Sequence, residues 1–178
     1  MSQFCSSPYS DPKRQYRFCI IFGDFEPWVM TGAGLPSYSI NEATHAYLNH
    51  TFKFPGRITW NDVTIKMRDP ALPDTSQAIM KMLKKSGYYF PDAQIDLNNK
   101  ATVSKAQAIG ALGSNSIKIQ LLDGPGKVIT QWEMMNAWVK DFKQSDLDYT
   151  SDDLIELELV ITYDWARSEH FAPNLPTG

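Results

Sequence analysis

The chain has 178 residues, 43% hydrophobic and 21% charged, and a formal net charge of −3. That balance describes one globular domain and excludes an intrinsically disordered chain or a basic nucleic-acid binder. With only Cys5 and Cys19, and no charged-then-apolar leader, it shows neither a disulfide scaffold nor a secretory signal, so cytosolic synthesis is expected.

Residues 1–15 are polar, carry two prolines and read as a flexible arm ahead of a domain over 16–166. Tyr16 to Phe22 predicts a strand ended by Gly23-Asp24, and its apolar run is far too short to span a bilayer. Phe25 to Met30 reads as a second short strand, with Pro27 pointing to an edge or bulge. Thr31 to Ser37 reads as a loop by its glycine and proline content. From about 39 to 57 the pattern is weak, and an extended loop is expected, ending in alternating Phe52 and Phe54 before Pro55-Gly56. Ile58 to Arg68 predicts strand. Its apolar parity switches from Ile58 and Trp60 to Val63, Ile65 and Met67, so a kink or bulge is expected near Asn61-Asp62.

A helix is predicted over about 74–87, capped by Asp74 or Thr75, with Ile79, Met82 and Leu83 inward and Gly87 as its stop. Lys81, Lys84 and Lys85 make its solvated face. A second short helix falls within 102–111, capped by Thr102. Ile117, Ile119 and Leu121 alternate up to the turn Asp123 to Gly126, and Val128, Trp132 and Met134 continue beyond it, which predicts a β-hairpin. Asp141 to Asp153 reads as an acidic loop.

Leu154 to Ala166 reads as one long strand. Ile155, Leu157, Leu159, Ile161, Tyr163 and Trp165 share one parity, with Glu156, Glu158, Thr162 and Asp164 on the other. An apolar face of that length must be covered by another layer or another subunit. Residues 167–178 read as a tail. Strands dominate both ends with helix between them, a mainly β, antiparallel α+β plan.

Chemistry-bearing patterns are absent from the sequence. His45 and His50 are five apart, which suits neither one helix face nor a zinc-protease pair, and His170 lies in the tail. Gly126-Lys127 lacks the flanking residues of a phosphate loop, because Leu121 and Val128 stand where glycine and a hydroxyl are needed. Gly32-Ala33-Gly34 lacks the third glycine of a dinucleotide fingerprint. No G-x-S-x-G occurs, and the paired acids are simpler as a solvated loop and a polar strand face. No enzyme activity, cofactor or metal site is expected. Five tryptophans, at 28, 60, 132, 138 and 165, exceed what one small core commonly needs. Aromatics are enriched at subunit contacts, so they favour assembly, with Trp60, Trp132, Trp138 and Trp165 as ring or core aromatics.

Phe25 to Ser37 (FEPWVMTGAGLPS), Phe52 to Asp69 (FKFPGRITWNDVTIKMRD), Ile117 to Val139 (IKIQLLDGPGKVITQWEMMNAWV) and Asp146 to Ala166 (DLDYTSDDLIELELVITYDWA) follow one another in a telling order. Together they resemble the tail tube proteins of contractile-tailed bacteriophages, across most of residues 25–166. The resemblance implies an antiparallel β-sandwich or barrel with a flanking α-helix, assembling as a hexameric ring. Rings would stack into a hollow tube inside a contractile sheath and conduct the genome into the host. The stretch around 39–57 would then reach the adjacent ring through Tyr47, Phe52, Phe54 and Arg57.

Implied partners are further copies of the chain, the sheath, baseplate and tail-terminator proteins, and the tape-measure protein and DNA in the lumen, with no membrane. The implied location is the virion tail, assembled in the host cytoplasm. Six copies at −3 give −18 per ring, and an acidic lumen would keep DNA phosphates from sticking. Glu156, Glu158 and Asp164 are the candidate lumen-facing acids, with the opposite orientation, toward the sheath, also open. A baseplate-proximal tube initiator or the tube of a headless contractile injection system fits the same patterns. From a different class, an enzyme or small-ligand binding domain remains the competing reading.

Overall fold

The computed structural model describes residues 12–89, 102–113 and 117–171; most of the expected N-terminal arm and the last residues of the expected tail lie outside these. Among the described residues, ten strands and two α-helices make a mainly β fold. Sheet A has the order β1 (Phe18–Ile21), β6 (Ile117–Leu122), β7 (Val128–Met135), β10 (Trp165–His170). Sheet B runs β2 (Met30–Ala33), β5 (Val63–Arg68), β9 (Glu156–Thr162), β8 (Trp138–Gln144). All pairings are antiparallel. β3 (Tyr38–Tyr47) and β4 (His50–Trp60) form a separate two-stranded ribbon.

Period-two alternation explains the sandwich. Ile20, Ile117, Ile119 and Met134 come from one sheet and Ile65, Met67, Leu157, Leu159 and Ile161 from the other, and they meet in one fully buried cluster. The outward parity of each strand is polar or mixed, as a solvated sheet face requires.

The expected long strand from Leu154 to Ala166 is instead two strands in different sheets. β9 lies inside sheet B between β5 and β8, the chain turns at Tyr163-Asp164, and β10 joins the edge of sheet A beside β7. The turn is tied by the Asp164 amide donating to the Met135 carbonyl at 3.1 Å. The inward parity changes at this corner: Ile161 and Tyr163 are buried, whereas on β10 Ala166, opposite buried Met134, packs on the core and Trp165 is exposed. Because Trp165 is apolar, it prolongs the alternation in the sequence and hides the change. Arg167 to His170, expected within the tail, are therefore an edge strand.

Phe25 to Met30 is likewise not a strand. Pro27–Val29 make one 3-10 turn with proline at its start, where a fixed φ suits a helical turn, and β2 begins directly after it. The kink at Asn61-Asp62 separates the ribbon strand β4 from the sheet strand β5.

One end of the sandwich carries two helices. α1 (Thr75–Lys85) starts on the Asp74 carboxylate, which accepts from the Gln77 amide at 2.8 Å, and Lys84 and Lys85 complement its last carbonyls. Gly87 has φ +100°, and a Cβ there would lie 2.5 Å from Gln107 Oε1, so only glycine fits the stop. α2 (Lys105–Ala111) is capped by Ser104 and not by Thr102. Gln107, three residues on, receives the Ser104 hydroxyl at 3.0 Å and donates its amide to it at 3.3 Å, a pairing Thr102 is too early to make.

Candidate functional site

The stretch expected as a loop over 39–57 is the ribbon of β3 and β4. Every residue of β3, and every residue of β4 except Trp60, is exposed. Eleven residues of β4 reach roughly 36 Å at about 3.3 Å per residue. Sequence periodicity missed this because β3 is largely polar or small; the pairing also contains a bulge, with a register shift between Ile40 and Glu42.

Tyr47, Phe52 and Phe54 all lie on this ribbon, each more than half exposed (63%, 51% and 54%). Phe52 stands opposite His45 and Phe54 opposite Ala43. Arg57 sits within the bulge. Tyr38, Ile40 and Ile58 are equally bare and were not singled out from the sequence. Their signal was the short alternation Tyr38-Ser39-Ile40-Asn41, too brief to read alone. A two-stranded ribbon is marginal by itself, and this one carries its apolar load outside the core.

The ribbon is anchored at its root. Tyr38 lies edge-on to Trp60 at 5.3 Å, and Trp60 is 5.9 Å from Tyr163. The Asn61 amide donates to the Ser37 carbonyl at 2.9 Å, and the Asn61 side-chain amide donates to Ser37 Oγ at 3.1 Å. Burial pushes the Tyr163 phenol up, as the desolvated core requires.

The three acids expected as a lumen lining do not form one acidic strip. Glu156 lies 3.2 Å from Arg68, and Glu158 stands between Lys66 on β5 and Lys143 on β8 in the register. Asp164 is on the corner between the sheets, where its carboxylate takes Lys105 Nζ at 2.7 Å and Asn136 Nδ2 at 2.8 Å. Those partners, Lys105 first, hold its carboxyl below the usual range. Asp62 is held down in the same way by Lys140 at 2.7 Å, with Thr162 donating at 2.8 Å. The alternating acids of β9 are thus interleaved with cations from neighbouring strands, which a single strand's sequence cannot reveal. The acidic surplus sits elsewhere: the loop after β8 carries Asp146, Asp148, Asp152 and Asp153 and no lysine or arginine.

The tryptophans are dispersed. Trp60 is at the ribbon root and Trp132 packs against the core, whereas Trp138 opens β8 opposite Thr162. Trp165 is about half exposed at the start of the edge strand β10. Among the described residues no three His, Cys, Asp or Glu side chains could hold a metal ion. An apolar cleft of about 200 Å³ lies between α1, α2 and β8, below the usual size of a small-molecule site.

The described residues thus form a two-sheet sandwich with a long ribbon whose apolar side chains are exposed. Residues 34–166, which include the ribbon, β5 to β9 and both helices, match the T4-like virus tail tube protein gp19 family, and the chain belongs to it. That is a family of structural tube proteins, not of enzymes. Solved structures share the fold. The anti-feeding prophage tube-terminating cap aligns at TM-score 0.63 and 18% identity, over 90% of this chain and 93% of that one. A chain of the sheath-tube complex of an extracellular contractile injection system aligns at 0.59 and 19%, over 92% and 95%. A chain of the six-fold symmetrised anti-feeding prophage baseplate aligns at 0.59 and 16%, over 90% and 97%. No curated protein matches the sequence.

Proposed function

We propose that this tail tube protein forms hexameric rings that stack into a hollow tube inside a contractile sheath, and that the tube conducts a cargo into a target cell. The observation that carries this reading is the family match extending across a ribbon whose apolar side chains are left exposed by the described residues. Closing a ring demands two different complementary surfaces on each copy, and joining sheets edge to edge removes their open edges. Tyr47, Phe52, Phe54 and Arg57 make the contact to the adjacent ring. Sheath, baseplate and terminator proteins, with a tape-measure protein in the lumen, complete the partners, and assembly takes place in the host cytoplasm.

The cargo is the phage genome in a virion. The tube of a headless injection system is the second reading, favoured by the fold shared with an extracellular contractile injection system. In either case the net negative charge of the ring discourages retention of anionic cargo.

Electron microscopy of the purified chain tests the proposal. Uniform rings or hollow tubes are expected, and a persistent monomer that turns over a substrate would overturn it. Deleting residues 44–54 should leave folded monomers or single rings and abolish long tubes.

A further inference from the structure

The apolar residues of β4 fall at Phe52, Phe54, Ile58 and Trp60, all of one parity, and a regular strand would display them on a single face. The pairing forbids this. Ile40 faces Ile58 and Glu42 faces Pro55, so between these pairs β3 spends one residue, Asn41, where β4 spends two, Gly56 and Arg57. Across an antiparallel pair, directly opposite residues point to the same face. Tyr38, Ile40, Ile58 and Trp60 therefore share one face of the ribbon root. On the tip, Ala43, His45, Tyr47, Phe52 and Phe54 share the other face, because Ala43, His45 and Tyr47 have the opposite parity to Tyr38 and Ile40 on the unbulged strand. Gly56 makes the bulge feasible: a Cβ there would lie 2.8 Å from the Asn41 carbonyl oxygen.

We infer that the ribbon is a two-sided connector, its root face packing on one neighbouring copy and its tip face on a different copy. The inference rests on the tube reading above and deepens it. No single flat surface covers apolar side chains that point in opposite directions, whereas a subunit in stacked rings has a lateral and an axial neighbour. The root face is continuous with the Trp60–Tyr163 packing of the chain's own core, so it lies beside the body and takes the lateral copy. The tip, from His50 to Pro55, carries its face roughly 20 Å farther at about 3.3 Å per residue and takes the copy in the next ring. Charge agrees with a protein partner: Glu42 and Lys53 pair with each other at 3.0 Å on the polar side of the tip, leaving no basic stripe for nucleic acid or an anionic membrane.

Three variants of the full chain, viewed by electron microscopy and sized by light scattering, test this. Ile40→Ser with Ile58→Ser should give folded monomers that do not close rings. Phe52→Ser with Phe54→Ser should give rings that do not stack. Inserting one glycine between Asn41 and Glu42 equalises the two strands, removes the bulge and brings all the apolar residues to one face; long tubes should be lost although no side chain has been removed. The variants should keep the wild-type far-ultraviolet spectrum and melt cooperatively, because the altered positions lie outside the core. Wild-type tubes with both serine pairs failing at the same stage, as a single partner gripping both faces would produce, would overturn this inference alone. So would long tubes from the insertion variant. A wild-type chain that never forms rings would overturn the tube reading and this inference with it.

Discussion

β9 and β4 alternate apolar and polar residues with the same period, yet they serve opposite ends. On β9, Leu157, Leu159 and Ile161 are fully buried beneath the second sheet. On β4, Phe52, Phe54 and Ile58 are each more than half exposed. The alternation is a statement about two faces and says nothing about what covers them. Where the same chain supplies the cover, the apolar face stabilises the fold. Where it does not, as on the ribbon, the same alternation adds no buried area to the fold, and in the proposed tube it would be covered by a partner.

The sharpest way to break this comparison is to truncate one residue of each kind. Leu159→Ala should lower unfolding free energy by about 2–5 kcal/mol, because it opens a cavity in close-packed surroundings. Phe52→Ser should change monomer stability by no more than ~0.5 kcal/mol, as an exposed position does. Denaturant melts of assembly-blocked monomers measure both, and similar losses would mean that the ribbon is part of the folding core.

Gly87→Ala sharpens the comparison at the boundary of the core. The left-handed backbone and the close Gln107 side chain should make this substitution cost about 1–3 kcal/mol, without altering assembly of whatever remains folded. A melt combined with negative-stain imaging separates the two effects.

The smallest expected effect concerns Asp164. Lys105 and Asn136 hold its carboxyl below the ordinary value of 3.8. A depressed folded value stabilises the native state above that ordinary value, and the contribution is lost as pH falls through the folded one. Wild-type melting temperature should therefore drop faster below about pH 4 than that of Asp164→Asn, with the two curves parallel at neutral pH. Parallel curves throughout would show that the corner link contributes nothing measurable, as is common for exposed ion pairs.

Much of the sandwich was legible because its signals are local. Ile117, Ile119 and Leu121 before Asp123 to Gly126 announce a hairpin through alternation and turn chemistry. Asp74 and Gly87 bracket a helix by satisfying its ends. The ribbon was not legible as a strand pair, because β3 is largely polar or small and carries no sustained alternation to announce a partner for β4. The corner at Tyr163-Asp164 was hidden because the exposed but apolar Trp165 continues the alternation of Ile161 and Tyr163 in the sequence, although Ala166 is the residue that turns inward.

The family resemblance and the placement of Tyr47, Phe52 and Phe54 on one projecting element could be reached from the residues in order. The charge of the β9 face could not. Glu156 and Glu158 look acidic along their own strand, and only the neighbouring strands bring Arg68, Lys66 and Lys143 between them.

Amino-acid order alone determined which residues alternate, which cap and which turn, since those preferences act over a few residues along the chain. Tertiary structure decided which alternating faces are covered, which charges are neutralised and where the apolar phase of the ribbon reverses. Each of these depends on strand pairing between residues far apart in sequence, and a one-residue difference in that pairing moves every side chain beyond it to the opposite face.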